Sequence, residues 1–400
     1  MKPHQYRPET EAVRGGTDLS KKNGPLATPI YQTSTFESAD LAAAIECTTT
    51  DTFYTRYGNP TTTVAEGAIA QLEGADGALL FASGMGAVCT SVMALVRSGD
   101  HIVAQRDIYG GTTKFLGAWL PKLGVETTFV DSTNYDEYAL AIRPNTRLLY
   151  LETPTNPTLK IVDLRKAVSL AKQHNLITII DSTFATPINQ RPMEFGVDLV
   201  IHSGTKYFGG HSDLICGVAT GRQDLIQKIH ETRTTLGVTM DPHASWLLLR
   251  GIKTLAVRVQ RQNESALRIA RFLSGHSGIR QVHYPFLESH PQYELAVAQM
   301  RGGGGMLSFE IEGSGEDAGR LVESLRLFTL AVSLGGVDSL VTLPIHNSHA
   351  MISEEQRQKM GVSDRLIRLS VGIENADDLI ADLEQAFAAV NASRQHAQVE

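Results

Sequence analysis

The chain has 400 residues, 42% hydrophobic and 20% charged, with a formal net charge of −7. That balance excludes a chain disordered throughout and leaves room for two domain cores. Lys and Arg are scattered, so no basic stripe marks a nucleic-acid or anionic-membrane surface, and no apolar run reaches the roughly 20 residues of a membrane helix. The expected partner is a small molecule.

Cys47, Cys89 and Cys216 lie far apart and outside any CxxC or metal-ligand spacing, so they read as packing residues of a cytoplasmic protein that uses no metal. Met1–Gly16 is polar and carries no export signal.

In chain order, residues 1–60 read as an irregular arm, broken by Gly15, Gly16, Asn23, Gly24, Pro25 and Pro29 and closed by Asn59-Pro60. Such an arm suits contact with a neighbouring subunit. Residues 61–255 alternate apolar runs with helical segments, the pattern of an α/β domain with a mostly parallel sheet. Its predicted strands are Ala78–Ala82, Ile102–Gln105, Leu148–Leu151, Ile177–Ile180 and Leu199–Ile201. Residues 256–400 read as a smaller C-terminal α+β domain. It has a long helix through Arg271, glycines at 302–305, a strand over Met306–Ile311, and a last helix capped by Asn375 with Leu379, Ile380, Leu383 and Phe387 on one face.

Ligands of open α/β sheets gather at the carboxyl ends of the strands. The first such end is Ser83-Gly84-Met85-Gly86, leading into an apolar helix over Ala87–Val96. Glycines there let backbone N–H groups face an anion such as phosphate, or they make a plain tight turn. A dinucleotide fold is disfavoured, because the third glycine of its fingerprint and a following ribose-binding acid are absent. The second end is Ser203-Gly-Thr205-Lys206. A lysine beside buried strands loses ammonium stability and gains nucleophilicity, although an isolated lysine ordinarily extends to solvent. The third is Asp181, which needs a cation: a pyridinium nitrogen and a structural ion pair both serve. Glu152-Thr-Pro-Thr-Asn156-Pro157 forms a fourth end. One amine, one carboxylate and one anion cradle on a single sheet meet the needs of pyridoxal phosphate.

The segments Tyr54-Thr-Arg56-Tyr-Gly-Asn-Pro60, Ser83-Gly-Met85, Tyr109-Gly-Gly111, Glu152 to Pro157, Asp181-Ser-Thr183, Ser203 to Tyr207 and Arg365 to Gly372 together resemble the Cys/Met-metabolism family of pyridoxal-phosphate enzymes. That family includes cystathionine γ-synthase, cystathionine γ- and β-lyases and methionine γ-lyase. The resemblance implies the aspartate-aminotransferase-like type I fold. It makes Lys206 the Schiff-base lysine, Asp181 the partner of the ring nitrogen, and Tyr109 the residue stacked on the ring. Ser83, Gly84, Met85, Thr183, Ser203 and Thr205 complete the cofactor site. Tyr54 and Arg56 arrive from a second subunit of a dimer or tetramer.

By the same resemblance Arg368 grips the substrate carboxylate with Asn156 and Ser333, and Lys206 and Tyr109 act as proton carriers. The implied reaction is γ-elimination or γ-replacement on a sulfur amino acid or homoserine ester, with β-elimination from cystathionine behind it. Five departures bear on specificity. Val332 replaces a glutamate that would attract a distal ammonium, and Gly111 replaces the cysteine common in methionine γ-lyases. Asp338 and Ser182 replace a common Glu and Asn, and Leu343–His349 departs from the usual pattern.

Overall fold

The computed structural model describes residues 6–16, 24–131, 133–346, 357 and 360–397 (backbone only for 395–397). The predicted turn residue Asn23 and the end of the divergent segment, 347–349, lie outside them. The arm contains two short helices that the sequence reading did not anticipate, α1 (Pro8–Arg14) and α2 (Leu41–Cys47). Their signals are proline in the first turn of α1 and an Asp40 cap on α2, whose carboxylate accepts the Ala43 N–H at 2.8 Å. Glu11 of α1 is fully buried and pairs with Arg191 at 2.8 Å, which ties this end of the arm to the main body.

Beyond the arm, seven strands form one sheet: β1 (Gly77–Phe81), β2 (His101–Gln105), β3 (Glu126–Val130), β4 (Thr146–Glu152), β5 (Ile177–Asp181), β6 (Leu199–Ser203) and β7 (Gly217–Gly221). Their order is β1–β7–β6–β5–β4–β2–β3. The pairs among β2 to β6 are parallel, whereas β7 is antiparallel to β1 and β6. Both faces are buried. Along β4, Leu148 and Tyr150 join one apolar cluster with Val88, Val92 and Ile102, while Leu149 and Leu151 join another with Leu164, Val168 and Val200. This is why the strands read as continuous apolar runs rather than as alternating ones. Helices α3 (Pro60–Glu73) and α4 (Gly84–Leu95) begin at Asn59 and Ser83 caps.

A second sheet contains β8 (Ile279–His283), β9 (Met306–Ile311), β10 (Thr329–Leu330), β11 (Leu340–Thr342) and β12 (Leu366–Ser370), in the order β10–β11–β12–β9–β8. Leu307, Phe309, Ile367 and Leu369 pack on Ile269 and Leu273 of the helix Leu255–Gly275 and on Leu379, Leu383 and Phe387 of the helix Ala376–Ala397. Asn375 caps that last helix as expected, accepting the Asp377 N–H at 2.8 Å.

The predicted strands of the first sheet are present, and β3 and β7 are additional. β7 was hidden because glycine stands at each of its ends. Neighbouring backbone requires it: a Cβ on Gly217 would lie 2.1 Å from the Ser83 carbonyl oxygen, and one on Gly221 would lie 2.3 Å from that of Asp198. The first of these contacts presses the start of α4 against the sheet. Gly217→Ala is therefore expected to lower the unfolding free energy by about 1–3 kcal/mol through overpacking, measured by denaturant titration; wild-type stability would show that Ser83 can move away.

Candidate active site

The start of α4 rests directly on the end of β6. Extended Ser83 accepts the Gly86 N–H on its Oγ at 3.0 Å, and the Gly84 and Met85 N–H groups fall in the first turn, where no intrahelical acceptor exists. A Cβ at Gly84 would sit 3.1 Å from Ser203 Cβ and Oγ. The two strand ends thus meet with backbone donors between them. Helix polarity makes that junction favourable to an anion.

From Ser203 the hydrogen bonds run inward. Its N–H donates to Thr183 Oγ1 at 2.9 Å, and Thr183 donates both its hydroxyl, at 2.6 Å, and its N–H, at 3.0 Å, to Asp181 Oδ1. Burial raises the Asp181 carboxyl, and the two Thr183 donors oppose that rise. Thr205 is fixed from the other side, where its Oγ1 accepts the Cys216 N–H at 2.9 Å.

Lys206 follows in the same turn, and its side chain is half-buried. Nζ donates to Ser333 Oγ at 2.7 Å. Burial, reinforced by the Arg368 charge, pushes the amine down to about 8. Ser333 holds this position with φ +82, a left-handed conformation costly for a residue with a side chain. Its carbonyl also accepts Arg368 Nη2 at 3.2 Å, and Arg368 Nη1 donates to Asn156 Oδ1 at 2.9 Å. Arg368 is 5% exposed, and burial lowers its guanidinium to about 10, still protonated at neutral pH. Its buried Nε has no hydrogen-bond partner, which leaves a donor for an anionic ligand.

Tyr109 caps the short helix α5 (Gly110–Lys114) and donates its backbone N–H to Glu152 Oε2 at 2.7 Å. Gly111 lies beneath its ring: a Cβ there would be 2.5 Å from Tyr109 Cε1 and 3.0 Å from Met85 Sδ. Val332 and Ser333 line a cavity of about 680 Å³ with Thr205, Asp213, Ile215 and Asp338, and Val332 is 67% exposed at its edge.

The structure therefore gathers most of the predicted site residues and leaves out two. Tyr54 forms a bridge with Thr35, and Arg56 Nη1 donates to the Thr234 carbonyl at 2.6 Å. Among the described residues, neither contacts the Lys206 cluster within one chain. Glu152 was singled out only as part of a motif. Its signal was the one used for Asp181, an acid ending an apolar strand. Cys216 packs against Gly204, and Cys47, Cys89 and Cys216 are all free. Among the described residues, no helix is long and apolar enough to cross a membrane, and no group of three or more His, Cys, Asp or Glu could hold a metal ion.

The family model described as "Cys/Met metabolism PLP-dependent enzyme" matches residues 9–388. An L-methionine gamma-lyase of Fusobacterium nucleatum subsp. nucleatum is 43% identical over 94% of this chain and 97% of its own. A cystathionine beta-lyase of Lactococcus lactis subsp. cremoris is 42% identical over 95% of this chain and 98% of its own. The crystal structure of cystathionine gamma-lyase from Lactobacillus plantarum, complexed with L-serine, superposes with a TM-score of 0.91 at 40% identity, covering 96% of this chain and 100% of that one.

The residues present fit pyridoxal phosphate. They supply an anion cradle at the start of α4, a desolvated amine, and a carboxylate for the ring nitrogen. A lysine half-neutral at about pH 8 reacts well below the ordinary range for its kind. Competitive acylation of the cofactor-free protein, followed by mass spectrometry, is expected to show Lys206 labelling with a midpoint near pH 8; a midpoint near that of surface lysines would refute the desolvation.

Proposed function

Since the chain belongs to the Cys/Met metabolism PLP-dependent enzymes, we propose that it catalyses γ-elimination or γ-replacement on a sulfur amino acid or a homoserine ester. The observation that carries this reading is the continuous chain from the Lys206 amine through Ser333 to Arg368 and Asn156. It sets a proton acceptor beside a carboxylate clamp, as α-amino acid chemistry demands.

When bound, pyridoxal phosphate supplies the electron sink that makes the hydrogens beside the amino group acidic. The protein does the rest. Backbone N–H groups of Gly84 and Met85, with the Ser83, Ser203 and Thr205 hydroxyls around them, would hold the phosphate. Asp181, steadied by Thr183, would serve as the counter-charge of the ring nitrogen. Arg368 and Asn156 orient the substrate carboxylate. Lys206 Nζ, neutral in a large fraction near pH 8, takes the Cα proton and carries protons between Cα and the carbons beyond it. Ser333 Oγ keeps the freed amine in place for this task. The Tyr109 hydroxyl stands as the acid for a departing thiolate or carboxylate.

Val332 supports an uncharged distal group, as in methionine or O-acetylhomoserine, because it puts an aliphatic side chain at the cavity edge. A second reading, β-elimination from cystathionine, draws on Asp213 and Asp338 in the same cavity, whose carboxylates suit a distal ammonium.

The active unit in this reading is at least a dimer, and the assembly a tetramer, in the cytoplasm. Helix α2 buries none of its own residues, with Leu41 78% and Ile45 65% exposed, as expected of an arm laid on another copy. Tyr54 and Arg56 would then enter the neighbour's site. The same reading divides the chain into the arm 1–60, a cofactor domain 61–255 and a C-terminal domain 256–400.

Assay with methionine, O-acetylhomoserine, homocysteine and cystathionine is expected to release 2-oxobutanoate from at least one of them. Pyruvate from cystathionine with no 2-oxobutanoate from any would overturn the γ assignment. Val332→Glu is expected to shift kcat/KM toward cystathionine by about tenfold relative to methionine, and an unchanged ratio would remove Val332 from specificity.

A further inference from the structure

Glu152 ends β4 in register with Asp181 at the end of β5, so two carboxylates stand abreast on adjacent parallel strands, about 5 Å apart at the backbone. Residues paired in this way project from the same face of the sheet. Glu152 is 6% exposed. Its Oε2 accepts the Tyr109 N–H at 2.7 Å, and the Asn156 N–H lies near enough to favour its charged form. Its own backbone is clamped by Gln105, which accepts the Glu152 N–H at 3.0 Å and donates to the Glu152 carbonyl at 2.9 Å. One side chain therefore links the segment bearing Tyr109 to the loop bearing Asn156, the partner of Arg368.

We propose that Glu152 is a positioning residue that acts as a neutral carboxylic acid, fixing the Tyr109 backbone beside the cofactor ring while leaving the negative charge to Asp181. The charged groups facing it are unfavourable to a further anion. Asp181 lies alongside on β5, and Asp107 approaches from the end of β2, its charge met by Lys160 at 2.7 Å. His202 on β6 acts on Asp181 and so favours the charge there. Burial and the Asp181 charge raise the Glu152 carboxyl well above the usual range. Two buried carboxylates on adjacent strands hold one charge more readily than two, and Asp181, which accepts a hydroxyl as well as an N–H from Thr183 and would later face a pyridinium, retains it.

The proposal rests on Asp181 as the partner of the ring nitrogen, and its test separates the two. The infrared difference between wild-type and E152Q holoenzyme at neutral pH is expected to contain a carboxylic-acid carbonyl band lost in the variant. An absent band would overturn the neutral state whatever Asp181 does. E152Q is expected to keep the cofactor Kd within about threefold and the midpoint of the visible pH titration, while E152M, which lacks the acceptor, weakens cofactor binding about tenfold. A midpoint displaced by about one unit in E152Q would mean that an anion had been removed. Wild-type cofactor binding in E152M would overturn the positioning role. Thermal melting of both variants tells folding loss from site loss, and an E152M that does not fold leaves the decision to the band and the E152Q titration. D181N with an unchanged titration would overturn the Asp181 reading while leaving the Glu152 band in place.

Discussion

A lysine amine partly withdrawn from water within the field of a buried guanidinium is the constraint from which the rest of this site follows. Lys206 is lowered to about 8 there while Arg368 keeps its charge at neutral pH, so the pair is an amine that loses its proton readily beside a fixed cation. The base suits attack on an aldehyde and, later, removal of a proton. The cation suits a carboxylate. Ser333 joins them by taking Nζ on its hydroxyl and Nη2 on its carbonyl, and it adopts a left-handed backbone to do both. Strain at one residue is accepted for the geometry of two.

The two sheets divide the labour. Strand ends of the first supply the turn that carries Lys206, the acid at Asp181 and the helix start at Gly84. The second sheet supplies Arg368 on β12 and leads, through β10, to Val332 and Ser333. Packing is close where these parts meet. Gly84 lies against Ser203, Gly217 against Ser83, and the Gly335 backbone against the Tyr207 ring. Side chains at these glycines would force apart the groups that must converge, so the glycines belong to the site as much as the polar residues do.

Much of this was legible in sequence because the first sheet is buried on both faces, and strands buried in that way appear as short apolar runs ending in polar residues. Lys206, Asp181 and the Ser83-Gly84-Met85 turn were found at such ends, and their family resemblance agrees with the match over residues 9–388. What escaped had physical reasons. β7 is framed by glycines that serve neighbouring backbone rather than its own packing. The helices of residues 1–60 are short, and α2 buries none of its own residues. Glu152 was read only within its motif, although its meaning depends on the register of β4 against β5, which no local pattern encodes.

The most direct measurement is borohydride reduction of the coloured holoenzyme, followed by proteolysis and mass spectrometry of the labelled peptide. A reduced pyridoxyl group on Lys206, with loss of the visible band, is the result required by a desolvated amine bonded to the cofactor. Label on another lysine, or a protein without a reducible chromophore after saturation with pyridoxal phosphate, would contradict it.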